Sequence, residues 1–153
     1  MKSKTTQIML VVGIVAVIIA LFIYSQKKPT GVSTTGEVKV GIILGFTGPI
    51  ESLTPAMAAS AELAFKEVSD SGSFLDGAKI TASRADSTCV DSAAATTAAE
   101  ALVAQGVAAI MGADCSGVTG AIAKNVAVPN GVVMISPSAT SPGLTTLDDK
   151  GLF

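Results

Sequence analysis

From residue 38 onward, short β-branched apolar runs alternate with longer segments whose apolar residues recur every three to four positions. That alternation predicts strands and helices in strict succession. Val38 to Leu44 (VKVGIIL) reads as a buried strand that stops at Gly45, Gly48 and Pro49. Thr54 and Pro55 then supply an N-cap and first-turn pair for a helix, with Met57, Ala61, Ala64, Phe65 and Val68 on one face. Ala78 to Ser83 is a second strand, weaker in composition. Asp91 caps an alanine-rich helix in which Ala95, Ala98, Ala99 and Leu102 share a face, closed by Gly106. Val107 to Met111 is a third strand, Ser116 or Gly117 opens a third helix through Val118, Ile122 and Val126, and Gly131 to Ile135 is a fourth strand.

Strands and helices in this order predict an α/β fold, a parallel sheet flanked by helices on both faces, because each parallel crossover returns over a face of the sheet. Ligands of such sheets gather at the carboxyl ends of the strands. Four loops lie there: Gly45 to Thr54, Asp86 to Asp91, Gly112 to Gly117 and Ser136 to Leu144.

The first 28 residues have another pattern. Lys2 and Lys4 precede an uncharged apolar run from Ile8 to Tyr24, which ends at Lys27 and Lys28. The run suits an export signal or an N-terminal apolar anchor helix. A small-x-small cleavage pattern is missing and no cysteine comes after it to take a lipid, which favours an uncleaved anchor. Either reading puts the remainder outside the cytoplasm, in the periplasm or at the cell surface. The organisation expected is a signal or anchor over 1–28, a small polar linker over 29–36 (PTGVSTTG), and a single folded unit over 37–153.

Composition narrows the chemistry. The formal net charge is −2, yet residues 29–153 hold six basic against twelve acidic side chains, hence −6. A surface of that sign does not favour nucleic acid. Histidine is absent. That removes Ser-His-Asp and Cys-His nucleophile activation, histidine-ligated zinc and an imidazole switch. Tryptophan is absent too, and aromatics are only 4% of the chain, so a stacking platform for bases or sugars has little to build on.

The four loops are rich in glycine and hydroxyls: Thr47, Ser52, Ser116, Ser136, Ser138, Thr140 and Ser141. Such loops hold small anions by hydrogen bonding. The plainer alternative is that Ser116 is an N-cap and that Ser138 and Thr140 shape a proline-bounded turn. Catalytic and nucleotide motifs fail: Gly41-x-x-x-Gly45-x-x-Gly48 is not the dinucleotide fingerprint, no phosphate-binding G-x-x-x-x-G-K-[ST] occurs, and Ser116 has no histidine to activate it. Asp86, Asp91 and Asp114 lie in separate loops without ligand spacing, which reads as helix caps and solvated turns, so no metal and no cofactor is expected.

Cys89 and Cys115 are the only cysteines, one in the loop after the second strand and one after the third. In an exported protein the pair is expected to be oxidised, with unlinked buried thiols as the alternative. If the first strand lies between the second and third, the two strand ends are about 10 Å apart. Both loops must then lean over the central strand for the sulfurs to meet.

Several segments together resemble a known family. They are VKVGIILGFTGP at 38–49, the alanine-rich first helix with Glu62, ADSTC at 85–89, GADCS at 112–116 and, most specifically, MISPSATSPGLT at 134–145. In these the chain, over about 37–153, resembles the periplasmic amino-acid-binding proteins of ABC transporters, the leucine/isoleucine/valine-binding group with the type I periplasmic binding fold. The resemblance implies a disulfide between Cys89 and Cys115. It implies that Ser116 and the backbone about it bind a ligand α-carboxylate, that Thr140 adds its hydroxyl, and that the Ser138 carbonyl accepts from the α-ammonium, with Ala139 between them in the same contact loop. Leu53 stands where the branched-chain binders often carry an aromatic wall for the ligand side chain.

The family closes two lobes around its ligand. Because the sequence stops at Phe153, in the lead-in to what would be the next strand, residues 37–153 are expected to be part of the first lobe of a longer protein. The function implied is extracytoplasmic capture of a small solute, most readily an amino acid, for an ABC permease; it is not an enzyme. The alternative is the ligand-sensing ectodomain of a membrane receptor, held by the same N-terminal helix.

Overall fold

A computed structural model describes residues 36–153 of the chain. Its centre is β1 (Glu37–Leu44), whose final residues Ile42, Ile43 and Leu44 are completely buried. The strand is apolar on both faces because it is covered on both, the condition for an inner parallel strand. After it come α1 (Thr54–Asp70), a short 3₁₀ turn at Phe74–Gly77, β2 (Lys79–Asp86), α2 (Ser92–Ala104) and β3 (Ala109–Gly112). Next is α3 (Ser116–Ile122), which runs through a π-helical turn (Ala123–Ala127) into the single turn α4 (Val128–Asn130). The strand β4 (Val133–Ile135) and a 3₁₀ turn at Pro142–Thr146 complete the order.

The four strands are parallel and ordered β2-β1-β3-β4, so β1 does lie between the strands that precede the two cysteine loops. One face of the sheet carries the larger core, in which Ile43 and Ile110 meet Ala95, Ala99 and Leu102 of α2 and Val118 and Ile122 of α3. Small residues permit this close approach. A Cβ on Gly41 would stand 2.8 Å from Leu102 Cδ1, so the bare backbone of β1 is what lets the leucine lie flat against it.

The other face is covered only in part. Ile42 and Leu44 pack with Ala58, Met57, Ala61 and Phe65 of α1. Beyond them Val133 and Ile135 of β4 are 49% and 69% exposed, and a cleft of about 520 Å³ opens between Met57, Ala61, Met111 and Ile135. Helices therefore lie on both faces as expected, with the β4 end of the α1 face open.

Several boundaries differ from those expected from the sequence. The second strand extends through Asp86, because Arg84, Ala85 and Asp86 pair in register with Ile42, Ile43 and Leu44. The third and fourth strands begin two residues later than expected, at Ala109 and Val133. Thr54 does not cap α1: Leu53 is the N-cap residue, and the buried Thr54 hydroxyl donates to the Gly45 carbonyl at 3.1 Å. The α1 stripe is also rotated. Met57, Ala61 and Phe65 face inward with Ala58 and Ser69, while Ala64 and Val68 are exposed. Ser69 fixes that rotation, its hydroxyl donating to the Phe65 carbonyl and accepting the Ile80 N–H. On the same helix Glu62 receives a two-pronged Arg84 bond (2.7 and 2.8 Å), and the guanidinium lies 5.6 Å from the centre of the Phe46 ring. Asp91 caps α2 as the sequence indicated, accepting the N–H groups of Ala93 and Ala94, and Gly106 comes after it with a left-handed φ of 79°.

The expected helix over residues 8–24, and with it the membrane anchor, lies outside the described residues, as does the linker. Among the described residues no helix is long and apolar enough to cross a membrane.

Gly112 ends β3 at a φ of 132°, and a Cβ there would stand 2.0 Å from the Ile43 carbonyl oxygen. Gly112→Ala is expected to destabilise the fold by about 3 kcal/mol or more in urea denaturation. Gly117→Ala, where an added Cβ meets nothing within 4 Å, should change stability by less than about 1 kcal/mol. Equal effects at the two glycines would contradict the packing described for the end of β3.

Candidate ligand site at the carboxyl ends of the strands

At the carboxyl rim of the sheet the four loops meet on one aspartate. Asp114 is only 4% exposed. Its Oδ2 accepts the Gly45 N–H at 2.8 Å, and its Oδ1 accepts the Cys115 N–H at 3.0 Å and the fully buried Ser87 hydroxyl at 3.3 Å. Its main-chain carbonyl takes the Ser138 hydroxyl at 2.9 Å. One residue thus touches the loops after β1, β2, β3 and β4. This corrects the expectation of a solvated turn: the donors converging on Asp114 replace the water that it gives up on burial. Sequence reasoning missed the role because acidic loop residues are usually exposed. The available signal was its setting, between Ala113 and Cys115, with no other charge in the loop.

The Asp86 carboxylate ties a second pair of loops. Its Oδ2 accepts the Thr47 hydroxyl at 2.5 Å, and its Oδ1 accepts the N–H groups of Thr47 and Thr88 at 3.3 and 2.8 Å. Burial pushes this carboxyl up, but the bonds from the Thr47 hydroxyl and from neighbouring backbone N–H groups outweigh it and hold Asp86 below its ordinary 3.8. Asp91 is the α2 cap described above. The three aspartates therefore serve three separate structural purposes.

Cys89 and Cys115 form a disulfide with a Cα–Cα separation of 5.2 Å. Two successive left-handed residues, Thr88 (φ 57°) and Cys89 (φ 69°), turn the β2–α2 loop back over the end of β1, so both loops do lean over the central strand. Gly45 makes room: a Cβ there would be 3.2 Å from the Cys89 Cβ.

Immediately after the disulfide, Ser116 begins α3, but its hydroxyl does not cap that helix. Instead Ser116 Oγ accepts the N–H groups of Thr140 and Ser141, each at 3.1 Å. Ser136 organises the same loop from behind, donating to the Ala113 carbonyl and accepting the Ser138 and Ala139 N–H groups. The structure thus brings together Ser116, Ser138, Ala139 and Thr140. With both acceptor directions of Ser116 taken by the loop, its proton is directed away from those partners, which equips it to donate to a ligand anion. Thr140 meets Ser116 through its backbone, with its hydroxyl left out of that contact. Leu53 sits on a different loop, at the N-cap of α1, and is 59% exposed; it is not part of the junction. Ser87, Ser136 and Asp114 support the junction; Ser136 was counted only among the loop hydroxyls, and Ser87 and Asp114 were not expected to serve it.

The carboxyl rim of the parallel sheet thus carries a serine and a hydroxyl-rich turn, pinned by a disulfide. Residues 37–150 match the family model described as periplasmic binding protein, and the chain belongs to that family. Among curated relatives, Leu/Ile/Val-binding protein homolog 1 of Brucella abortus is 36% identical over 123 residues, 80% of this chain and 32% of its own length. The Leu/Ile/Val-binding protein BraC3 of Rhizobium johnstonii is 30% identical over 109 residues, 71% of this chain and 29% of its own. Among solved structures, the branched-chain amino acid transporter substrate-binding protein LivJ of Streptococcus pneumoniae, in complex with isoleucine, superposes with a TM-score of 0.65 at 34% identity, over 76% of this chain and 32% of that one. The leucine-binding protein LivK of Thermotoga maritima gives 0.61 at 28% identity, over 71% and 30%. The chain spans about a third of the length of the relatives it matches.

The geometry carries two stability expectations. Because Asp86 is held below its ordinary value, its bonds contribute fully above about pH 4 and are lost as pH falls through the lowered value. Urea stability measured from pH 6 downward should therefore fall less steeply in Thr47→Val than in the unaltered chain; identical slopes would contradict the Thr47–Asp86 bond. Reduction of the disulfide, which encloses 25 residues, should lower stability by about 3–4 kcal/mol on chain-entropy grounds. Denaturation with and without a thiol reductant measures the difference.

Proposed function

We propose that this chain is the ligand-contacting part of an extracytoplasmic solute-binding protein that captures an amino acid for import through an ABC permease. The observation that carries the reading is the junction of Ser116 with the Thr140–Ser141 turn. A hydroxyl preset as a donor, beside a loop rich in backbone N–H groups, suits one end of a small zwitterion. The relatives matched over most of this chain are Leu/Ile/Val-binding proteins, and one solved relative holds isoleucine. In this reading the ligand carboxylate lies against Ser116 and Thr140, the Ser138 carbonyl accepts from the ammonium, Ala139 contributes backbone between them, and Leu53 borders the side-chain end. The part played is binding, not catalysis.

The same reading makes residues 37–153 part of one lobe of a two-lobed clamp, with a second lobe completing the ammonium contacts and excluding water on closure. It also assigns the apolar run at 8–24 to export or membrane attachment. Affinity in such a clamp comes from closure around the ligand as well as from the first contacts. The 153-residue chain should therefore bind leucine or isoleucine only in the millimolar range, and Ser116→Ala should abolish that binding with little loss of stability. Isothermal titration and amide chemical-shift titration test both. Micromolar binding by the chain alone, or unchanged binding in Ser116→Ala, would contradict the reading.

A further inference from the structure

The Ser136 hydroxyl uses its whole hydrogen-bonding capacity inside the protein. Its proton goes to the carbonyl of the buried Ala113, which also takes the hydroxyl of the fully buried Thr119 at 3.0 Å, so that carbonyl fills both of its acceptor directions. With the proton committed there, both lone pairs of Ser136 face the loop after β4. They accept the Ser138 N–H at 3.3 Å and the Ala139 N–H at 2.9 Å. The Ser138–Ala139 peptide is trans, since the one cis bond among the described residues is Gly112–Ala113. In a trans peptide the N–H and the C=O point in opposite directions. Turning the Ala139 N–H inward on Ser136 therefore turns the Ser138 carbonyl outward. Ser138 is held at a second point by its hydroxyl, which donates to the Asp114 carbonyl at 2.9 Å.

We propose that Ser136 is a positioning residue for the ligand ammonium: it acts through Ser138 rather than on the ligand, aiming the Ser138 carbonyl so that an ammonium can bond to it. The proposal rests on the amino-acid reading of the site and names the device by which that site tells an amino acid from a plain carboxylic acid. Ser116 and the Thr140–Ser141 turn serve the carboxylate, which both kinds of ligand carry. The Ser138 carbonyl serves only a ligand with an ammonium. A peptide free to rotate would present that carbonyl part of the time, and binding would then have to order the loop. The two bonds to Ser136 supply that order before the ligand arrives. Without the hydroxyl, the Ser138 and Ala139 N–H groups lose their acceptor and the peptide can turn, whereas the Ser116 bonds to Thr140 and Ser141 stay. Threonine would keep the hydroxyl, and Ser136 borders the cleft of about 520 Å³ on the α1 face, where the extra methyl has room.

Leucine and 4-methylpentanoate, which has the same carbon skeleton and carboxylate without the amino group, serve as probes. Their dissociation constants are read from the Thr140 and Ser141 amide shifts in the unaltered chain, Ser136→Ala and Ser136→Thr. The unaltered chain should bind leucine about fivefold more tightly than 4-methylpentanoate, or better, as expected of a hydrogen bond to a charged group. In Ser136→Ala that ratio should fall about threefold or more, with 4-methylpentanoate changed by less than about twofold. Ser136→Thr should keep the ratio of the unaltered chain. A merely structural role would weaken both probes alike, so an unchanged ratio in Ser136→Ala overturns the proposal and leaves the amino-acid reading intact. A ratio in Ser136→Thr as low as in Ser136→Ala overturns it as well. Should Ser136→Ala fail to fold, equal binding of the two probes by the unaltered chain overturns it alone. If neither probe moves these amides, both the proposal and the reading beneath it fail.

Discussion

A carboxylate buried without a cation has to be surrounded by donors, and at Asp114 they come from different stretches of chain. The Gly45 N–H lies just after β1, the Ser87 hydroxyl just after β2, and the Cys115 N–H belongs to the turn after β3. Meeting that requirement draws the three loops to one point. The Ser138 hydroxyl on the Asp114 carbonyl brings in the fourth. Removing any donor leaves an under-satisfied buried charge, a penalty larger than the net value of an ordinary hydrogen bond. The convergence of the rim is thus a consequence of desolvation, and the Ser116 junction with the Thr140–Ser141 turn sits on that convergence.

Short-range contacts carry that convergence from loop to loop. Gly45 and Gly48 lie close to Cys89 and Thr88, so the β1–α1 and β2–α2 loops can touch. The left-handed turn at Thr88–Cys89 then sends one sulfur over the central strand, and the bridge to Cys115 fixes the residue before Ser116. Ser116 in turn holds the Thr140–Ser141 turn by its two N–H groups. Among the described residues no buried side-chain polar atom lacks a partner, which is the condition under which such a polar cluster specifies a geometry rather than weakening the core.

The order of elements was legible in the sequence because its signals are local: β-branched runs for β1 and β4, Asp91 and Gly106 for the ends of α2. Element edges were less so. The polar end of β2 at Arg84–Asp86 looks like a loop, yet it is strand because β1 offers it a full ladder. Likewise the buried face of α1 was misjudged at Ala64 and Val68, since Ser69, a polar residue, sets the rotation by bonding to β2. Glycine and hydroxyl content drew attention to the loops that meet at the rim, and the family resemblance named Ser116, Ser138, Ala139, Thr140 and Leu53. The supports could not be read in that way. Asp114, Ser87 and Ser136 owe their roles to neighbours 23 to 69 residues away, and a single sequence carries no local mark of such contacts.

The central claim is that the loops of this rim are joined through Asp114 and Ser116. Native-state amide hydrogen exchange of the ligand-free chain tests it most directly, at Gly45, Cys115, Thr140 and Ser141. Gly45 and Cys115 should be protected nearly as well as the β1–β3 ladder, with Thr140 and Ser141 clearly slower than free loop amides. Exchange at all four as fast as in an unstructured peptide would contradict the claim.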